Sequence, residues 1–283
     1  MALHIPSLFS IFCVVILLVF LPILQPNSCV APVDWQPAGA TWYGSRNGAG
    51  SDGDLPLPFF QSLLESGACG YGDLVGKPPF SSMVTAGNPN LFLSGNGCGA
   101  CYQVKCTKNS LCSGEPVNVT ITDECPGGPC LAEKIHFDLS GSAFGSLALS
   151  GKTDQLLSAG VIIVEYARVK CNYNGYTIAF HVDSASSGYY FAVVVEYEGG
   201  DGDLSGVDLQ QGGGGVRGSP EWLSMQHSWG AIWKINSGSQ LKPPFSLRLT
   251  TLRSHATIIA DDVIPVGWQP GMTYRSLVTG SAP

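Results

Sequence analysis

A chain of 283 residues with 36 glycines, 19 prolines and only 12% charged residues has few solvated helical faces and reads as short strands joined by many turns. Its formal net charge of −7, from 14 basic and 21 acidic residues, argues against nucleic acid as a partner, because phosphates are neutralised by a basic surface. A neutral polymer fits this balance better.

The first two dozen residues carry no Lys, Arg, Asp or Glu, and Ile11 to Leu24 is apolar except for Cys13 and Pro22. This is the pattern of a signal-peptide core, with only the amino terminus and His4 as positive charge ahead of it. Pro22, Pro26 and the small residues near Ser28 and Ala31 argue against a stable membrane anchor. A leader spanning 1–31 is expected, cleaved near Ala31 or after Ser28. About 250 residues then remain, enough for one large all-β domain or two ordinary ones.

Of ten cysteines, Cys13 and Cys29 leave with the leader, and the remaining eight suit four disulfides in an exported chain. Spacing alone leaves 105 pairings open. Cys98-Gly-Ala-Cys101 followed by Cys106 and Cys112 could mimic a zinc site, but export and irregular spacing favour bridges, so no metal or other cofactor is expected. All eight precede residue 172, which places a domain boundary near Cys171.

From Ala40 to Lys170 short strands alternate with Gly, Asn and Pro turns. In Pro116–Thr122, Val117, Val119 and Ile121 face one way and Asn118, Thr120 and Thr122 the other, which predicts a half-buried strand delivering Asp123 at its end. Asn118-Val-Thr120 is also a glycosylation sequon in an exported chain. Gly160–Lys170 is apolar at both parities before it alternates, as for a strand buried at one end. A closed or nearly closed barrel stapled by disulfides is the simplest architecture. Beyond Cys171 the strands lengthen, at 177–183, 189–198, 245–252 and 256–265. Ile178, Phe180 and Val182 share one face, as do Phe245, Leu247 and Leu249, and the pattern predicts a β-sandwich. The run Gly212 to Gly215 reads as an inter-strand loop rather than a phosphate cradle.

Five elements of the first half resemble the expansin family: Thr41-Trp42-Tyr43-Gly44, Gly67-Ala68-Cys69-Gly70-Tyr71-Gly72, the Cys-rich stretch, Thr122-Asp123 and His136-Phe137-Asp138. Those at Gly200–Asp203, Ser228–Trp233, Pro244–Thr250 and Val263–Ser276 look like its β branch. The resemblance runs in order from Ala40 to Val278. It implies a double-psi β-barrel similar to family 45 endoglucanases over 32–170, followed by an immunoglobulin-like carbohydrate-binding sandwich over 171–283. It further implies the pairs Cys69–Cys98, Cys101–Cys171 and Cys106–Cys112, with Cys125 and Cys130 closing a short loop of their own.

Inverting glycosidases need a carboxylic acid to protonate the leaving oxygen and a carboxylate to activate water. By the resemblance Asp138 matches the acid, while the stretch that should carry the base reads Gly44-Ser45-Arg46 and holds no carboxylate. Asp123 belongs to the same cleft without taking over that role. Losing the base removes a contribution of roughly 10²- to 10⁴-fold, so wall loosening without hydrolysis is expected. Thr41, Trp42, Tyr43 and His136 are placed in the cleft as polysaccharide-binding residues, His136 without a catalytic role. Tyr190 and Trp229 match the planar aromatics on which family members stack sugar rings. If Gly230 begins a strand, Trp233 and Ile235 point inward while Trp229 stands at the edge.

The expected partners are cellulose, glucuronoarabinoxylan or other matrix glycans in the plant cell wall, met by a monomer. An endoglucanase-like hydrolase using Asp138 with Asp123, and a pure carbohydrate-binding or defence protein with the barrel as scaffold, are the alternatives. Asp54 to Ser66 departs from the family pattern, which runs almost directly from Asp52 into the glycines. An alternative splice junction or a gene-model error is one reading of the segment, and an apolar loop that obstructs the cleft is the other.

Overall fold

A computed structural model of the chain describes residues 33–44, 67–212 and 221–280. The expected leader and its cleavage site, Ser45 and Arg46, the Asp54–Ser66 segment and the glycines 213–215 lie outside the described residues. Within the described residues, no helix is long and apolar enough to cross a membrane.

Six strands, β1 (Gln36–Trp42), β2 (Val84–Gly87), β3 (Cys101–Lys105), β4 (Val117–Glu124), β5 (His136–Leu139) and β6 (Ile162–Arg168), close into a barrel of order β1-β5-β2-β4-β3-β6. The β1–β5 and β2–β4 pairs are parallel and the other four antiparallel. Ala40, Val84, Val104, Val119, Ile121, Phe137 and Val164 are buried in its core. The predicted alternation of β4 holds for Val119 and Ile121, but Thr120 and Thr122 are buried as well, so the strand is not half-exposed. On their face Tyr173, in the connection out of the barrel, hydrogen-bonds Thr120, and the Thr122 carbonyl accepts the Cys69 N–H. Asn118, near the outer end of the strand, is exposed as a sequon must be.

The second half contains β7 (Ala179–Val182), β8 (Tyr190–Glu196), β9 (Leu204–Gln211), β10 (Leu223–Ser224), β11 (Gln226–Trp229), β12 (Ile232–Asn236), β13 (Phe245–Thr251), β14 (Thr257–Ile264) and β15 (Thr273–Arg275). They form a four-stranded sheet, β10-β9-β13-β14, and a five-stranded sheet, β11-β12-β8-β7-β15. The core between them holds Phe180, Val182, Phe191, Val193, Leu247 and Leu249, so the predicted inward faces are realised. In β8 the opposite parity, Ala192 and Val194, packs with the barrel's own core. That double coverage explains why YYFAVVVEYE is apolar at both parities.

All four bridges form as the resemblance implied: Cys69–Cys98, Cys101–Cys171, Cys106–Cys112 and Cys125–Cys130. The residues from Trp35 onward make one compact unit. Where barrel meets sandwich, Gly99 (φ +85°) and Gly202 (φ +83°) pass backbone to backbone, and a Cβ on either would collide with the other glycine's carbonyl. Gly-Asp-Gly-Asp at 200–203 is therefore a joint. Asp203 pairs with Arg168 at 2.9 Å, and Asp201 accepts the backbone N–H groups of Arg253 and Ser254.

Glu196, at the end of β8, is buried, and desolvation pushes its carboxyl up to about 7 against the opposing pull of Arg275. In the unfolded chain this group titrates in the ordinary carboxylate range near 4.3, so the folded state favours its protonated form. Its contribution to stability is fully present below roughly pH 4 and is lost as pH rises through about 7. The melting temperature is expected to be a few degrees higher at pH 5 than at pH 8, and Glu196→Gln to flatten that slope, as calorimetry across pH would read.

Candidate functional site

Three pairings bring the chemistry into one row across the barrel. Thr41 on β1 lies opposite Asp138 on β5, Asp138 opposite Ala86 on β2, and Ala86 opposite Asp123 on β4. With strands about 4.8 Å apart, the two aspartates are two strand steps, or about 10 Å, from each other along the backbone. The β2–β4 register shifts between Thr85 and Ala86, skipping Thr122. This bulge, rather than simple alternation, brings Asp123 into line with Ala86.

The environments of the two acids differ. Asp138 is half-buried, and Oδ1 accepts the Thr41 hydroxyl at 2.7 Å. Burial pushes its carboxyl above the usual range, while the Thr41 bond and the nearby His136 pull it down. Asp123 is 6% exposed, and its Oδ1 accepts the backbone N–H groups of Ala68 at 2.6 Å and Glu124 at 2.8 Å. Burial raises it too, those two bonds oppose the rise, and the charges of Glu124 and Asp138 add to it. The Cys125 and Cys130 sulfurs and the Asp138 carboxylate lie within 4.8 Å of one another. With both sulfurs committed to a bridge, this trio offers a metal one ligand only and does not fit a cation site.

His136 is fully buried, so the expectation that it contacts polysaccharide is corrected: no sugar reaches it. Its Nε2 lies 2.9 Å from Thr41 Oγ1 and its Nδ1 2.9 Å from Glu133 Oε2. Thr41, Trp42 and Tyr43 are each half-exposed at the end of β1. Trp42 packs its ring against the barrel core and donates its indole N–H to the Leu157 carbonyl at 2.8 Å, which fixes the orientation of the ring.

The Gly67–Gly72 element is clamped between the two halves. Cys69 N–H donates to the Thr122 carbonyl of β4, and Ala231 N–H donates to the Cys69 carbonyl. Ala68 holds Asp123 while the Trp229 ring lies against Gly70, so one turn connects the buried acid to an exposed indole. Trp229 is 48% exposed and Trp233 5%, the division expected if the chain reverses at Gly230, whose φ is +53°. Tyr190 is half-buried and its neighbour Tyr189 is 56% exposed. Sequence reasoning missed Tyr189, and it missed Glu133, whose Glu-x-x-His spacing to His136 was the available signal.

Residues 178–265 match the family model described as the expansin C-terminal domain, and residues 84–166 the one described as lytic transglycolase. The chain is 52% identical over 245 residues to a protein named putative expansin-B2 of Arabidopsis thaliana, covering 87% of this chain and 83% of that protein. This chain belongs to the β-expansin family. Expansin-B11 of Oryza sativa subsp. japonica is 51% identical over 256 residues, covering 90% of this β-expansin and 81% of the rice protein. A ligand-free expansin of Clavibacter michiganensis superposes with a TM-score of 0.58 at 21% identity, over 87% of this chain and 97% of its own. A point-mutated form of that bacterial protein, solved with cellohexaose, gives 0.55 at 20% identity over 86% and 95%. At this identity the likeness establishes the shared β-barrel and sandwich fold of this β-expansin.

Proposed function

We propose that this β-expansin is exported to the plant cell wall after loss of residues 1–31. There, as a monomer, it loosens contacts between cellulose and matrix glycans without cleaving them. Residues 32–170 and 171–283 act as barrel and sandwich domains, the first carrying the acid and the second most of the aromatic platform. Family membership supports the loosening role, and the bacterial relative's complex with cellohexaose supports glucan as the ligand class. The observation that carries the non-hydrolytic reading is the asymmetry of the two acids. Asp138 holds a hydroxyl partner and remains half-exposed, whereas Asp123 is 6% exposed with one oxygen bound by two backbone N–H groups. A base must present a free oxygen to a water beside the sugar, and a buried, doubly tied carboxylate is poorly placed to do so. The Gly44-Ser45-Arg46 stretch supplies no substitute.

Glycan chains would stack their apolar C–H faces on Trp229 and Tyr190, hydrogen-bond Thr41 and Tyr43, and meet the protonated form of Asp138 at mildly acid pH. Asn118, exposed on β4, is the proposed attachment point for an N-linked glycan. Isolated walls held under tension are expected to creep on addition of the folded protein at mildly acid pH, and an absence of creep would contradict the proposal. One observation favours a second reading, weak inverting hydrolysis. Asp138 and Asp123 share a row on either side of Ala86, and the Asp138 charge acts on Asp123; inverting hydrolysis needs two such carboxyls.

A further inference from the structure

A chain of four side chains runs from Asp138 into the barrel wall. Glu133 Oε2 faces His136 Nδ1 at 2.9 Å, His136 Nε2 faces Thr41 Oγ1 at 2.9 Å, and Thr41 Oγ1 donates to Asp138 Oδ1 at 2.7 Å. The imidazole is fully buried, while Glu133 keeps about a third of its side chain in solvent. Gly39 makes room for the pair: it lies opposite His136 in the β1–β5 register, and a Cβ there would stand 2.6 Å from His136 Nδ1 and 2.7 Å from Glu133 Oε2. Its φ lies outside the left-handed region, so space and not backbone conformation calls for glycine at this point.

With Glu133 ionised and one acidic proton shared between His136 and Asp138, the chain has two arrangements, and loss of that shared proton as pH rises leaves Asp138 ionised and the ring neutral. Thr41 has one hydroxyl proton. If it is given to an ionised Asp138, Nε2 must be the donor to Thr41, and Nδ1, facing a carboxylate, donates as well, so the ring is an imidazolium. If Asp138 carries the proton, it donates to Thr41, Thr41 donates its own proton to Nε2, and the ring is neutral with Nδ1–H on Glu133. The two arrangements hold the same number of protons. They interconvert when Nε2–H passes to Oγ1 while the Oγ1 proton passes to Oδ1, with no bond to carbon made or broken.

We propose that Glu133 and His136 are positioning residues that act through Thr41 to set where the proton of Asp138 resides. This rests on reading Asp138 as the acid of the wall-binding cleft. Glu133 favours the imidazolium, and the imidazolium favours ionised Asp138. On β4 lies Asp123, whose ionisation the Asp138 charge opposes, with Glu124 beside it acting on Asp123 in the same sense. No ionisable side chain lies on β2, and the Cys125–Cys130 bridge is neutral. Removing Glu133's charge therefore moves Asp138 towards its protonated form at a given pH.

The test is nuclear magnetic resonance of full-length protein with ¹⁵N-labelled histidine and ¹³C-labelled aspartate, together with the pH profile of wall creep. In the unaltered protein the His136 ring nitrogens and the Asp138 carboxyl carbon are expected to change over the same pH interval. In Asp138→Asn the His136 transition should move. Glu133→Gln, a partly exposed and isosteric change, and Gly39→Ala, which displaces the pair without deleting a polar group, are each expected to shift the Asp138 midpoint and the creep profile together by about 0.5 pH unit or more. His136 nitrogens that titrate identically with and without the Asp138 carboxyl would overturn the relay. So would midpoints unmoved in Glu133→Gln. If Asp138→Asn retained full creep while the resonances still moved together, the relay would stand and the assignment of Asp138 to wall loosening would fail.

Discussion

Asp138→Asn is expected to reduce creep of isolated walls to the level of buffer alone while leaving adsorption of the protein to those walls intact. The carboxyl is half-buried, and burial raises it against the pull of the Thr41 hydroxyl and His136, so its protonated form, able to donate to a glycan oxygen, persists to higher pH than that of an ordinary carboxyl. An amide of the same shape keeps hydrogen-bonding capacity but has neither an exchangeable acid proton nor a negative form. Hydrogen bonds involving charged groups are worth about 1.5–3 kcal/mol, so a loss of roughly 10- to 100-fold is the scale to look for. Adsorption is expected to survive because the aromatic platform lies on other elements, at Trp229 and Tyr190. Loss of both creep and adsorption would show instead that the acid only anchors the polymer, and retention of both would remove Asp138 from the mechanism.

Trp229→Ala has the complementary expectation: adsorption to cellulose falls, and creep falls with it at low protein concentration. Stacking covers one indole face, roughly 100 Å², which at about 25 cal/mol per Å² amounts to about 2.5 kcal/mol, or roughly 60- to 70-fold in affinity. The side chain is 48% exposed, so its removal opens no cavity in the sandwich core, although the contact with Gly70 is lost. Trp233→Ala is the control. That indole is buried in the sandwich, and its deletion should lower the melting temperature rather than weaken binding selectively. Depletion isotherms on cellulose beside thermal melts separate the two. Unchanged adsorption by a folded Trp229→Ala protein would place the platform elsewhere, with exposed Tyr189 the next residue to replace.

The strands that were legible in the sequence are those with long, clean alternation. The stretch 245–252 becomes Phe245–Thr251 and 256–265 becomes Thr257–Ile264, because one face of each meets the sandwich core. The division between Trp229 and Trp233 was readable only on condition that Gly230 breaks the alternation, which its positive φ does. Burial of Thr120 and Thr122 was not readable, since the partner of Thr120, Tyr173, arrives from about fifty residues downstream and the turn at Cys69 that bonds the Thr122 backbone from about fifty residues upstream. The same holds for the bulge at Thr122, which aligns Asp123 through its pairing with β2 and leaves no local mark. The disulfide pattern came from family resemblance, not from spacing, which left every pairing open. His136 was misplaced for a related reason: its Glu-x-x-His spacing suggests a partner, but only the parallel β1–β5 register shows that the ring faces into the barrel wall beneath Thr41.

The central claim concerns what the cleft does to a glycan chain, and one measurement on one sample addresses it: creep of isolated walls under constant load, with reducing ends in the surrounding buffer assayed over the same hours. Extension that begins on addition of protein, with reducing ends no higher than in boiled-protein controls, is the expected result. Reducing ends that rise in proportion to time and protein, and that disappear in Asp138→Asn together with the extension, would contradict it and make the molecule a hydrolase.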